Sequence, residues 1–192
     1  MSQASVLMKQ MTHEEYLALE RASDEKHDFV DGMIVAMAGC SNRHDTITSN
    51  IVGMLYAALR GGTCQSYTSD MKVHIPATGG DRYPDASIAC EPQFLDPTED
   101  VLLNPCVLFE VLSDSTEATD RGKKFHEYRS IPSFKEYVLV SQHRILVEHY
   151  ARQTNGSWNL QILPAGEKLC LTCAPVEIAI VDLYERVKFP AK

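Results

Sequence analysis

Apolar residues keep helical spacing most clearly between positions 41 and 62. There Ile47, Ile51, Met54, Leu55, Ala58 and Leu59 fall on one face of a 3.6-residue period. Ser41 or Asn42 would cap that helix, and Gly61-Gly62 would end it. A shorter helix is predicted over residues 12–19, opened by a capping box in which Thr12 and Glu15 satisfy each other's backbone amides. Elsewhere the pattern is that of strands. In "HDFVDGMIVAMAG" the pair Asp31-Gly32 stands between two apolar runs, and both residues tolerate the positive φ that a tight hairpin turn demands.

Three further strand-like runs follow, "CQSYTSDMKVHIP", "YPDASIAC" and "CVLFEVLS", with residues 92–105 a polar loop. The segment "STEATDRGKKFHEYRS" reads as a polar amphipathic helix, capped by Ser115 or Thr116 and stopped before Ile131-Pro132. "EYVLVS" reads as a buried strand, "RILVEHYAR" and "WNLQILP" as strands with one exposed face, and "VEIAIVDLYERV" as a closing strand or short helix. This order predicts an α/β fold, a mixed β-sheet flanked by helices, with additional antiparallel strands at the C-terminal end. At 192 residues the chain is expected to form a single domain, with residues 1–11 a loosely ordered N-terminal segment.

Composition narrows the setting. A hydrophobic fraction of 44% and a charged fraction of 23% belong to a soluble globular protein. "MSQASVLMKQMTHEEY" holds no signal-peptide core, and no run approaches the ~20 apolar residues of a membrane span, so a cytoplasmic protein is expected. In that compartment the six cysteines, at 40, 64, 90, 106, 170 and 173, are expected to be small buried hydrophobes rather than disulfides. "CLTC" has zinc-knuckle spacing but lacks a second close pair, so two packed or exposed strand thiols are expected there. Glycine-rich phosphate loops and serine-centred elbows are absent. The net charge of −8 argues against coating nucleic acid by electrostatics alone, while an acidic site that recruits a cation would contribute to it.

Candidate chemistry begins at Glu110, a carboxylate in the middle of the apolar run "CVLFEVLSDS". A lone ionised carboxylate in a buried strand is costly, so Glu110 must be protonated, paired with a cation or bound to a metal. Asp85, in "YPDAS", begins the preceding strand, and the segment after Glu110 carries Lys123 and Lys124. Two neighbouring strands each presenting one carboxylate suit Mg²⁺, which takes oxygen ligands and keeps several waters. A lysine close to that ion would orient an attacking water or offset charge on a phosphate. Arg121, Lys123 and Arg129 share the lysine segment and are expected to contact phosphates.

These residues resemble the PD-(D/E)XK nucleases, whose pattern is Pro-Asp, a loop, an acidic residue in a strand, one residue, and Lys. Pro84-Asp85 and Glu110 match, but position 112 is Leu. The longer arrangement "YPD…FEVLSDST…DRGKKFHEYRSIPSFKEYVLV" is similar to the Uma-two restriction-endonuclease family, abundant in cyanobacteria, in which the lysine has moved to the next helix. "HDFVDGMI", "RHDTITSNIVGML", "SDMKVHIP" and "LLNP" extend the similarity from about Thr12 to about Phe189.

The resemblance implies a restriction-endonuclease-like fold and a nuclease that hydrolyses phosphodiester bonds of nucleic acid, DNA foremost, with Mg²⁺ or Mn²⁺. It implies Asp85, Glu110 and Lys124 as the catalytic set, Lys124 standing four residues before Tyr128. Asp85, Glu110 and the backbone carbonyl of Val111 would hold the metal. Asp28, where relatives usually carry Glu, and His44 are additional candidates; relatives often have Asp where this chain has Ser141. A homodimer is expected of an enzyme that cuts both strands. The competing reading, kept open by Leu112 and the acidic charge, is a catalytically inactive nucleic-acid-binding or protein-interaction module on the same fold.

Overall fold

The structure, a computed structural model, describes residues 6–7, 10–37 and 39–189. In chain order its elements are β1 (Val6–Leu7), α1 (His13–Glu20), β2 (His27–Val30), β3 (Met33–Ala36), α2 (Asn42–Leu59), β4 (Cys64–Thr68), β5 (Lys72–Ile75), β6 (Gly80–Arg82), β7 (Ala86–Cys90), β8 (Val101–Leu102) and β9 (Val107–Leu112). There follow α3 (Glu117–Thr119), a π turn (Asp120–Lys124), α4 (Phe125–Tyr128), β10 (Glu136–Ser141), β11 (Leu146–Arg152), β12 (Trp158–Pro164), β13 (Lys168–Cys170), β14 (Glu177–Ala179) and a 3-10 turn (Ile180–Tyr184).

Local chemistry sets the helix starts and the hairpin as expected. Thr12 and Glu15 form the capping box of α1, and the Ser41 hydroxyl accepts the His44 N–H at 3.2 Å to cap α2. Asp31 and Gly32 sit at φ 52° and 78° in the β2–β3 turn. Of the expected loose N-terminal segment, residues 1–5, 8 and 9 lie outside the described residues, while Val6 and Leu7 pair with Val35 and Ile34.

The mixed sheet is present, with its strands divided. One six-stranded sheet runs β1-β3-β2-β6-β5-β8 and another β12-β11-β10-β9-β7-β4, with β13 and β14 a separate pair. In the second sheet β9 and β10 are parallel and the other neighbours antiparallel. Parallel neighbours require a crossover, and residues 113–135 supply it.

Alternation along β9 decides where the chemistry sits. Val107, Phe109 and Val111 pack with Ile47, Ile51 and Leu55 of α2, whereas Leu108 and Leu112 pack with Tyr128, Phe134, Tyr137 and Leu139 on the other face. Each fully buried Ile or Leu of α2 contributes about 1.5–3 kcal/mol through lost apolar surface. Glu110, between Leu108 and Leu112, therefore faces the crossover rather than α2.

Four expectations need correction. "CQSYTSDMKVHIP" is two strands, because the turn after Thr68 sends β4 to one sheet and β5 to the other. The 92–105 loop contains β8, whose Val101 and Leu102 are buried and pair with β5. The lysine segment is a broken helix, α3, π turn and α4, and Thr116 makes no side-chain cap. It is not a polar solvated face, since Asp120, Lys124, Glu127 and Tyr128 are all buried. Finally, Cys64 and Cys90 form a disulfide. They are directly opposed on antiparallel β4 and β7, a placement that brings two thiols within bonding reach. Cys106 is the buried thiol the composition predicted; Cys40 and Cys170 are exposed.

Candidate active site

The crossover folds back over β9 and brings its side chains onto Glu110. Lys124 Nζ lies 3.0 Å from Glu110 Oε1, and the Tyr128 hydroxyl donates to the same oxygen at 2.9 Å. Lys124 Nζ is also 3.0 Å from Asp120 Oδ1, at the other end of the π turn. Such turns insert an extra residue into a helix and are frequent at functional sites. Glu110 is 3% exposed and Lys124 8%, so the pair is almost wholly buried.

Asp85, just before β7, reaches across to β9. Its Oδ2 accepts the Val111 N–H at 2.6 Å and lies 3.3 Å from His44 Nε2. His44 stands in the first turn of α2, whose capping hydroxyl, Ser41 Oγ, donates to Gln142 Oε1 at 2.9 Å just past the end of β10. The structure thus gathers Asp85, Glu110, Lys124, Val111 and His44 around the ends of β9 and β7.

Asp28 belongs to a bracing network. It accepts hydrogen bonds from Arg82 Nη1 and the Tyr83 N–H, each at 3.0 Å, and Arg82 also binds Glu127 Oε2 at 2.8 Å. This holds the backbone leading into Pro84-Asp85 against the crossover. Among the expected phosphate contacts, Arg121 is paired with Glu117 and Glu148, and Lys123 Nζ with Asp31 Oδ2 at 2.7 Å. Arg129 Nη2 lies 3.0 Å from His126 Nδ1. None of the three touches Asp85 or Glu110.

The electrostatics are those of crowded acids. Burial pushes the Glu110 carboxyl well above the usual carboxylate range; Lys124 opposes the rise, while Asp120 and Asp85 reinforce it. Burial alone would lower Lys124, but Glu110, Asp120, Asp28 and Asp85 together hold its ammonium above the ordinary lysine range. For His44, burial works downward and the Asp85 hydrogen bond and charge outweigh it, so the imidazole is raised. Tyr128 is raised by burial and by the charge of Glu110.

The donor set fits a hard divalent cation. Among the described residues no hydrogen bond reaches Asp85 Oδ1 or Glu110 Oε2, so each acid keeps one oxygen uncommitted. Asp120 Oδ1 is buried and ion-paired but makes no hydrogen bond. Carboxylate oxygens are the donors that suit Mg²⁺ or Mn²⁺.

Asp120, Arg82 and Glu127 escaped the sequence reading. Asp120 did carry a signal, because positions 120, 124 and 128 are spaced by four and share a helix face. Arg82 and Glu127 had none, being joined only by the approach of β6 to the crossover.

A chain described as a putative nuclease belonging to DUF820, from Anabaena variabilis, has the same fold at a TM-score of 0.75, with 15% identity, covering 93% of this chain and 99% of that one. Two proteins of Synechocystis sp. are also similar. Uncharacterized protein slr1290 is 35% identical over 179 residues, 93% of this chain and 94% of its own length. Uncharacterized protein sll1609 is 36% identical over 153 residues, 79% of this chain and 86% of its own length. Residues 13–180 match the family described as "Uma2: Putative restriction endonuclease", and the chain belongs to that family.

Proposed function

We infer that the chain is a divalent-metal-dependent nuclease hydrolysing phosphodiester bonds of DNA, with Asp85, Glu110 and Lys124 as its catalytic residues. The observation that carries this reading is the approach of Lys124 Nζ to within 3.0 Å of Glu110 Oε1. It supplies, from the crossover, the lysine that the strand lacks at Leu112.

Asp85 and Glu110, with the Val111 carbonyl, would hold Mg²⁺ or Mn²⁺, and the ion, when bound, would supply Lewis acidity at the phosphate and a more acidic water. The protein's own residues do the rest. Tyr128 fixes the Glu110 carboxylate, and the Val111 N–H fixes that of Asp85, so neither acid has to reorganise during reaction. Lys124, ion-paired with Glu110 and Asp120, would offer an N–H to a water or a non-bridging phosphate oxygen. Asp28 and Arg82 hold the Asp85 segment in register. His44, against Asp85 at the start of α2, would meet the phosphate or the leaving oxygen. Cutting both strands would take two copies of the chain, the expected homodimer.

Leu112 favours the second reading, an inactive nucleic-acid-binding or interaction module, and metal binding discriminates between them. Calorimetric titration of the protein with Mn²⁺ should give saturable heat that Asp85→Asn removes. No heat from the unaltered protein, or the same heat after the substitution, would remove the metal site and with it the nuclease reading.

A further inference from the structure

A second cluster of metal-ligating side chains lies outside the Asp85–Glu110 site. Asp81 is fully buried in β6, and its two oxygens are each met by a histidine: His13 Nε2 at 2.8 Å from Oδ2 and His74 Nδ1 at 2.8 Å from Oδ1. The three ligand atoms all lie within 4.8 Å of one another. Among the described residues no Lys or Arg nitrogen pairs with Asp81; the two imidazoles are its only ion partners. A fully buried carboxylate without a fixed cation is costly, and a divalent ion would supply the missing charge.

The arrangement is rigidly built. His74 and Asp81 are directly opposed on antiparallel β5 and β6, so their side chains share a face. His13 is the first residue of α1, where the Thr12–Glu15 box sets the helix start, and its ring packs 5.8 Å from Phe29 and 6.1 Å from Tyr16. Gly80 allows β6 to approach β2, since a Cβ there would sit 2.2 Å from the Phe29 carbonyl oxygen. That approach seats Asp81 beneath α1. Successive strand residues point to opposite faces, so Asp81 turns toward α1 while Arg82 turns toward Asp28 and Glu127. The cluster shares no residue with the Asp85–Glu110 site.

We propose that His13, His74 and Asp81 form a second metal site, selective for Zn²⁺ or a similar imidazole-preferring ion, that clips α1 onto the sheet. Two imidazoles and one carboxylate are the donor set of zinc with one position left for water, whereas Mg²⁺ prefers oxygen alone. A tetrahedral zinc site places its donors about 3.3 Å apart, so the 2.8 Å His–Asp contacts would open slightly around the ion. Each imidazole then carries its proton on the nitrogen facing away from the metal, and the two protons now pointing at Asp81 shift to those nitrogens or to water. The side chains of His13 and His74 are 26% and 21% exposed, which leaves the ion a path in.

The test is a titration of the metal-free, ¹⁵N-labelled full chain with ZnCl₂, following the histidine ring nitrogens by NMR and thermal unfolding in parallel. Zn²⁺ should shift the resonances of His13 Nε2 and His74 Nδ1 and raise the unfolding midpoint. His13→Ala and His74→Ala should each lower the metal-free midpoint, because each leaves one oxygen of buried Asp81 without its partner, and each should abolish the rise on adding Zn²⁺. Glu110→Gln should leave the His13 and His74 shifts intact, which separates this site from the candidate active site. Unmoved His13 and His74 resonances, shifts confined to His44, or a midpoint rise that survives His74→Ala would each overturn the proposal.

Discussion

The Tyr128 hydroxyl donates a hydrogen bond of 2.9 Å to Glu110 Oε1, joining the end of the crossover to the middle of β9. Both residues are buried, and Lys124 shares the same carboxylate oxygen. A carboxylate set among Leu108, Leu112 and Tyr137 is thus tied at one oxygen and uncommitted at the other.

Removing that hydroxyl tests the tie. Tyr128→Phe keeps the ring packing against Phe134 and Tyr137 but leaves Glu110 Oε1 one donor short. The expected loss of stability is about 1–3 kcal/mol, the cost of a buried hydrogen bond to a charged group. Urea denaturation measures it, and nuclease activity should fall with it.

Glu136 makes a prediction about acid. It is fully buried at the start of β10, and accepts hydrogen bonds from His149 and from the Thr172 and Cys173 amides. Burial would raise its carboxyl, but the donors outweigh burial and hold it at about 2, against an ordinary 4.5. The folded value lies below the unfolded one, so this contribution is complete above the ordinary value and is lost as pH falls through the window between the two. Glu136→Gln should therefore destabilise the protein at neutral pH and flatten the decline in stability across that acidic window. Thermal unfolding against pH reads both.

The disulfide predicts a thiol count and a stability change. Denatured without reductant, the protein should expose four titratable thiols, those of Cys40, Cys106, Cys170 and Cys173. Reducing Cys64–Cys90, which are 26 residues apart, should lower stability by about 3.5 kcal/mol on the loop-entropy estimate. Six thiols before reduction would remove the bond.

Packing between α2 and β9 is tested by Ile51→Ala. Ile51 is fully buried against the face formed by Val107, Phe109 and Val111. The cavity and the lost transfer energy should cost about 2–5 kcal/mol, measured by chemical denaturation.

The features that were legible in the sequence are those encoded within a few residues. The Thr12–Glu15 box, the Ser41 cap and the Asp31-Gly32 turn each depend on neighbours at most three positions apart, and the fold realises all of them. Glu110 was conspicuous because an acid in an apolar strand breaks a local rule. What stayed hidden depends on tertiary approach. The polar look of the lysine segment masked the burial of Asp120, Lys124 and Glu127, because only the parallel β9–β10 pairing folds that segment over Glu110. The Asp28–Arg82–Glu127 network and the Asp81 histidines join residues separated by up to 68 positions, and no periodicity marks them. The cysteine reading rested on compartment, whereas strand register set the partner of Cys64.

The central claim is that Asp85, Glu110 and Lys124 act together on a phosphodiester, and cleavage of duplex DNA by the purified protein with Mn²⁺ or Mg²⁺ tests it most directly. The account predicts metal-dependent cleavage that falls by about 10²–10³ in both Glu110→Gln and Lys124→Ala, with circular dichroism unchanged. Undiminished cleavage by either folded variant, or none by the unaltered protein with any divalent ion, would contradict it.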